Sequence, residues 1–552
     1  MIRKMSISVI GGRQFETCLH LGTAIRRAVS LSQLSFKRLK FVVFWSIFAK
    51  VFSAHIQLHI YMTLLERINS AFVKFPYRDA FCIEDKHFTY NEFAKKVASI
   101  IKVLADYPEE RIGIVVRNDL ESYASLIAVM FSAKTYIPIN PEHPAERNEN
   151  IIGQSGLKVV LARPGSEPYS GTTFIDYTIE DSEANTTLTV PEFDQNRNAY
   201  ILFTSGSTGS PKGVQITYNN LNSLFEASSA LGYNMSETDR FLQMADLTFD
   251  LSVFSYIIPL CLGACICTVS NTGLKFANAY NVLEAQQVTF AVMVPSVLNY
   301  LRPYFSEISL PAIRHCLFCG EALYKDIMTE WLKCLPNGVI DNVYGPTEAT
   351  VFCLAYDSIS HTSDAMSYNE ITAIGKPMQN MEAILVDENL LEIADGEKGE
   401  LCLSGAQLTP GYLDEERNRV AFFVHNNKRF YRTGDVAIRD KEGVFLFTGR
   451  IDHQVKIQGY RIELSEIEFH LRNIIGGPGA VAIVTKGNGG VNQIEVVFED
   501  ENTDKEGVLE QLRTKIPPYM MPTHTHIVTP LPLNANGKTD RKALEKMISQ
   551  PI

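Results

Sequence analysis

Tyr200 to Val214 read YILFTSGSTGSPKGV, an apolar strand-like run that empties into a loop of small, hydroxylated and glycine residues. Gly206, Gly209 and Gly213 let the backbone approach a ligand closely and turn amide N–H groups toward an anion. Thr204, Ser205, Ser207 and Thr208 add hydroxyl donors, and Lys212 adds a mobile point charge suited to phosphate. The loop departs from the common P-loop. Pro211 stands before Lys212 where that motif has glycine, and Gly213 follows where it has a magnesium-binding hydroxyl. It therefore reads as a nucleotide loop of another kind, with a surface turn as the bland alternative.

Outward from this loop the chain has the rhythm of a parallel sheet with covering helices. From Arg111 the runs IGIVV, SYASLIAVMFSA, VVLA and FID alternate strand-like and helical patterns, and a helix is expected over Asn219 to Ala230. Between Ile371 and Phe447 the texture changes to short strands with turn signals, which predicts a β-rich subdomain. A polar, basic stretch from Gly449 to Glu463 follows. After it comes a small α+β module, with strands AVAIV and IEVVF and helices near Leu464 to Asn473 and Glu506 to Lys515. The expected fold is α/β: a large ATP- and substrate-binding domain over 62–449 and a small mobile lid over 450–552, cut at Arg450 to Asp452.

Composition narrows the function. The chain has 552 residues and a net charge of −11, and its acidic body argues against nucleic acid as a partner. Residues 1–61 are basic, with Glu16 as their single acid; their apolar run Phe41 to Ala49 is bracketed by Lys40 and Lys50. A membrane span needs about twenty apolar residues, so no stable membrane insertion is expected. This extension reads as lying outside the native enzyme, with Met62 as its start and a transit peptide as the alternative. The ten cysteines sit mostly in apolar runs, which fits a reduced, cytoplasmic setting. Cys316 and Cys319 are three apart in a strand-like run, so they face opposite ways and form no redox pair. A zinc site with Cys261, Cys265 or Cys267 is a minor alternative.

Further loops of the same kind end other apolar runs: DLTFDLSVF (246–254), FCGE (318–321), NVYGPTEATV (342–351), YRTGDV (431–436), GRIDHQVKIQGYRIE (449–463) and LPLNANGKTDRKAL (531–544). In this order the set resembles the adenylate-forming superfamily of acyl-CoA synthetases, luciferases and peptide-synthetase adenylation domains, from about Met62 to Leu544. The resemblance implies that a carboxylate and ATP give an acyl-adenylate and pyrophosphate, followed by transfer to a thiol.

It also implies roles. Thr204 to Gly209 with Lys212 would hold the β- and γ-phosphates, Thr208 catalytically, and Glu348 would hold magnesium. Asp435 would accept from the ribose hydroxyls. Tyr344 would stack on adenine, with Gly320, Glu321, Gly345 and Thr347 shaping the nucleotide wall. Arg450 and Arg461 would lie near phosphate or ribose. Lys538 would bridge the substrate carboxylate and the α-phosphate, and Asp452 would be the hinge that presents Gly459 for the thiol step.

Asp250, in the FD-x-S context, would pair with the α-ammonium of an amino acid; its alternative reading is a helix cap. Leu251, Phe254, Val292, Leu317, Cys319, Val343, Val351 and Phe352 would complete an apolar pocket with Phe249 as a gate. Crowding there favours a small side chain, and the cysteine before Gly320 is most similar to D-alanine–carrier protein ligases. The expected acceptor is a separate phosphopantetheinylated carrier protein, since only eight residues follow Leu544, with free coenzyme A as the alternative. A freestanding peptide-synthetase adenylation enzyme for another small apolar amino acid, an acyl-CoA ligase and a silent adenylate-binding scaffold are the competing readings.

Overall fold

The computed structural model describes residues 62–166, 169–178, 188–206, 209–360, 365–452, 454–477, 479–487, 491–533 and 539–549. Ser207, Thr208, Lys538 and the basic segment 1–61 lie outside them. Among the described residues, two large sheets carry the body. The first has seven strands. Its parallel part runs through Thr135–Ile139, Arg111–Val115, Val159–Ala162 and Thr173–Asp176. On its other side β1 (Asn198–Thr204) joins parallel to Thr135–Ile139 and turns through the glycine-rich loop into antiparallel β2 (Lys212–Thr217).

The second sheet has nine strands. At its centre Phe290–Met293 is flanked by β3 (His315–Phe318) and then β4 (Val339–Tyr344), all parallel. On its other side lie Arg240–Gln243, Cys265–Thr268 and Asp79–Ile83, parallel as well. Apolar runs with no polar alternation, such as TYIPI and VVLA, are buried along their whole length, as strands covered on both faces must be.

Helices fill the space around these sheets. Leu120–Phe131 is mostly apolar and buried at every residue except Glu121, and the Asp119 carboxylate caps it by accepting from the Ser122 amide at 2.8 Å. Leu64–Lys74 starts on a Thr63/Glu66 capping box. The core lies between the sheets and includes Leu126, Tyr136, Tyr200, Val253 and Val292. Cys319 belongs to this core while Cys316 belongs to a second cluster with Trp331, so the two cysteines do lie on opposite faces.

A five-stranded antiparallel sheet follows, as the turn-rich texture predicts; its long strand β5 (Lys428–Arg439) pairs with Phe445–Arg450. The chain then forms a hairpin of β6 (Gln454–Ile457) and β7 (Tyr460–Glu463), with Gln458 and Gly459 both at positive φ in its turn. Next come helix α1 (Leu464–Ile475) and a three-stranded sheet of Ala480–Lys486, Asn492–Phe498 and His524–Ile527. No helix among the described residues is long and apolar enough to cross a membrane.

Candidate active site

A cleft opens where the ends of these elements converge. Thr204 and Ser205 come from the end of β1, Asp250 and Leu251 from the helix Asp250–Leu262, and Cys319 and Gly320 from beyond β3. Gly345, Thr347 and Val351 come from the loop after β4, and Asp435 from β5. The hairpin closes it, since Lys456, Gln458, Gly459, Tyr460 and Arg461 all line the same space. Binding at the carboxyl ends of parallel strands is the general habit of open α/β sheets.

Glu348 is the electrostatic centre. Its carboxylate is fully enclosed and accepts two hydrogen bonds from Arg461 Nη1, at 2.8 and 3.1 Å, and one from the Tyr412 hydroxyl. Burial pushes its pKa up, but the charges of Arg461 and Lys212 and the Tyr412 bond outweigh that and hold it at about 2. Burial, with Arg461 beside it, brings the Lys212 ammonium down to about 8. The expected magnesium site does not fit this arrangement: both Glu348 oxygens are engaged by a guanidinium, and a cation there would also meet Lys212.

Asp435 is similarly committed. Tyr344 donates to its Oδ2 at 2.5 Å and Arg450 to its Oδ1. Arg450 also grips Asp452 through Nε and Nη2 at 2.7 and 2.9 Å. Asp452 thus sits between the strand Phe445–Arg450 and the hairpin. The Tyr344 ring, expected beneath adenine, has the Lys456 ammonium 5.6 Å from its centroid. It lines a neighbouring cavity with Glu321, Asp435 and Arg450. Glu321 accepts from the amides of Ser296 at 2.8 Å and Gly459 at 3.1 Å. The hairpin tip is therefore pinned to the wall that Gly320 begins.

Asp250 is the first residue of its helix, whose cap position is Phe249, so it is not the N-cap. Burial pushes its carboxyl up to about 6, against the Thr347 hydroxyl and the Lys456 charge. Leu251, Cys319 and Val351 share the cleft with it. Phe254, Val292, Leu317, Val343 and Phe352 do not line it; they are packed in the main core behind that wall, where the Phe254 and Phe352 rings meet at a tilt with centroids 4.9 Å apart. The pocket is shallower than the sequence suggests because large side chains meet one another there. Val351 holds φ +71°, which a β-branched residue rarely adopts. Gln407 stabilises that turn by donating to the Phe352 carbonyl at 2.8 Å and accepting through its backbone carbonyl from the Thr350 hydroxyl at 2.6 Å.

Phe249 stands at the rim beside Tyr460, with centroids 4.5 Å apart, and Tyr460 stacks flat on Tyr519 at 3.9 Å. On the glycine-rich loop, Ser205 donates to the Arg461 carbonyl at 2.6 Å and the Gly206 amide donates to Glu466 at 3.0 Å. Thr204 Oγ1 is buried without a hydrogen-bond partner among the described residues, a donor left over in a cleft of donors. Lys538 lies outside the described residues. Leu533 and Thr539 bridge to each other beside that segment, and neither lines the cleft.

Sequence reasoning missed Arg147, Gln407, Tyr412, Glu466 and Tyr519. Each is an ordinary residue in an ordinary helical or turn-rich stretch, and only the tertiary contact gives it meaning.

The profile of the family described as AMP-binding enzyme matches residues 69–413. The chain belongs to this family. This AMP-binding enzyme is 31% identical over 505 residues to the D-alanine–D-alanyl carrier protein ligase of Bacillus mycoides, covering 88% of this chain and 99% of that one. It is 32% identical over 489 residues to a linear gramicidin synthase of Brevibacillus parabrevis, a match spanning 85% of this chain and 9% of that protein. Among solved structures it resembles the Vibrio cholerae adenylation domain AlmE in complex with glycyl-adenosine-5'-phosphate. The TM-score is 0.79 at 27% identity, over 88% of this chain and 97% of that one. It also resembles holo-PA1221, a peptide-synthetase protein with adenylation and carrier domains, at TM-score 0.75 and 27% identity, over 87% and 84% of the two chains. The AMP-binding enzyme thus has the adenylate-forming fold and is a ligase that uses ATP to adenylate an amino acid.

Proposed function

We propose that the enzyme activates a small amino acid, D-alanine first among them, and passes it to the phosphopantetheine thiol of a separate carrier protein. The observation that carries this reading is the cleft wall: one half-buried carboxylate, Asp250, set beside the apolar Leu251, Cys319 and Val351 and closed behind by packed aromatics. A carboxylate there recognises an ammonium by a charge-assisted bond, and the closed wall leaves little room for a side chain.

In the first step a carboxylate oxygen of the amino acid attacks the α-phosphorus of ATP, and pyrophosphate leaves. Two anions must meet, so the chain's work is to neutralise and align. Lys212, Thr204 and the loop amides would take the polyphosphate, and Lys538 would bridge the reacting groups. In the second step the thiol attacks the adenylate carbonyl, its proton is lost, and AMP departs.

The seated hairpin favours assigning this arrangement to the second step, because Gly459 and Arg461 occupy the cleft. The lid over 450–552 would turn about Asp452 to bring Lys538 in for the first step. Glycine is the second reading, favoured by the glycyl-adenylate bound to the solved Vibrio cholerae relative and by the shallow pocket.

Amino-acid-dependent exchange of pyrophosphate into ATP, run with D-alanine, L-alanine, glycine and serine, tests the reading. D-Alanine is expected to give the highest kcat/KM, and Lys538→Ala to abolish exchange. Exchange supported by simple carboxylic acids and by no amino acid would refute it.

A further inference from the structure

The glycine-rich loop is met by carboxylates of the chain itself. Glu466, on α1, takes the Gly206 amide on one oxygen and Arg147 Nη1 on the other, at 3.0 and 2.7 Å, and both side chains are shut away from solvent. Glu463, at the end of β7, faces the Lys212 ammonium at 3.8 Å. Phe469, one turn along α1, lies on Gly209 so closely that a Cβ there would collide with its ring. Two donors at this place are left over among the described residues: Thr204 Oγ1 and Arg147 Nε are buried and unpartnered.

A backbone amide with an arginine behind it, and a lysine beside it, is a contact set made for adjacent anionic groups. Here two carboxylates hold it, and two buried donors remain unpartnered among the described residues. A phosphate on the same amide would face the buried Glu466 charge at contact distance, and two like charges cannot share so dry a site.

We propose that Glu466, supported by Glu463, is a built-in stand-in for the departing pyrophosphate. On this assignment α1 docks only on a loop that pyrophosphate has left, and Arg147 receives the carboxylate. Glu466 and Arg147 are positioning residues; neither touches the reacting carbonyl. The order of the two steps is then written into one exchange of anions, and added pyrophosphate undocks the hairpin as well as reversing the first step. This rests on the reading above that the loop holds the β- and γ-phosphates.

The test is calorimetric titration of inorganic pyrophosphate, with magnesium present, into the full chain without amino acid or nucleotide. A ligand that must displace a docked competitor binds with reduced apparent affinity, and removing the competitor restores it. Glu466→Gln is expected to bind pyrophosphate at least about fivefold more tightly than the unaltered protein, a gain that a merely structural glutamate would not produce. Affinity that is unchanged or weaker overturns the proposal. If that variant does not fold, Phe469→Ala, at a ring that is 39% exposed, gives the same comparison with the same expected and overturning results. The functional reading is judged apart from this by pyrophosphate exchange in the unaltered protein. Absence of exchange with every amino acid would sink that reading and leave the calorimetric competition to stand or fall by itself.

Discussion

Replacing Asp250 with asparagine removes one charge and almost no volume from the cleft wall. In the proposed complex this carboxylate holds the substrate ammonium, and a hydrogen bond to a charged group contributes roughly 1.5–3 kcal/mol. At 1.4 kcal/mol per decade, that corresponds to a rise of about 10- to 150-fold in KM for the amino acid. The assay is amino-acid-dependent pyrophosphate exchange at saturating ATP, run beside propionate, which is alanine without its ammonium. The parent enzyme should discriminate strongly between the two, and the variant should lose that discrimination.

The pH dependence adds a second arm. Burial raises the free carboxyl to about 6 from 3.8, so protonation below that value removes the ammonium's partner and kcat/KM should fall on the acid side. The asparagine variant should lack that limb. A raised carboxyl pKa also means that ionisation destabilises the empty enzyme: the cost is absent below 3.8, grows between 3.8 and 6, and is complete above 6. The variant should therefore melt higher than the parent at neutral pH while binding substrate worse. A KM within threefold of the parent, or an unchanged preference over propionate, would refute the assignment.

Two further outcomes follow from the centre of the site. Glu348→Gln leaves Arg461 and Lys212 enclosed without their anion, and breaking such a pair costs about 3–5 kcal/mol, read as a lower urea midpoint. Because the native carboxyl is held at about 2, below its ordinary 4.5, this stabilisation is present above 4.5 and lost as pH falls toward 2. Gly459→Ala places a Cβ 2.5 Å from Val294 at φ +81°, so the hairpin cannot seat. Thioester formation should drop by about tenfold or more, corresponding to at least 1.4 kcal/mol, while pyrophosphate exchange stays within about twofold.

Much of this was legible in the chain because the decisive signals are local. The glycine-rich loop falls between β1 and β2 as its composition implies, and the spacing of Cys316 and Cys319 does send them to opposite sides of the sheet, into different core clusters. The helix expected from Asn219 runs from Tyr218 to Ala230. Depth was not legible. Nothing in the order of residues says that Phe254 and Phe352 pack against each other and withdraw from the cleft. Partner choice was not legible either. Glu348 and Arg461 are 113 positions apart, and no local pattern announces the bond between them. Arg147 and Glu466 are 319 positions apart and carry no local pattern that joins them.

Cys319 gives the pocket an unexpected chemical property. An enzyme that activates an amino acid as a mixed anhydride carries a thiol of its own in the wall of the same cleft. Burial pushes the Cys319 thiol up to about 12, with the Lys456 charge acting weakly the other way, so at neutral pH it is protonated and a poor nucleophile. The activated acyl group is thereby protected from capture by its own container. Self-acylation, the obvious side reaction of such an arrangement, is disfavoured by that burial.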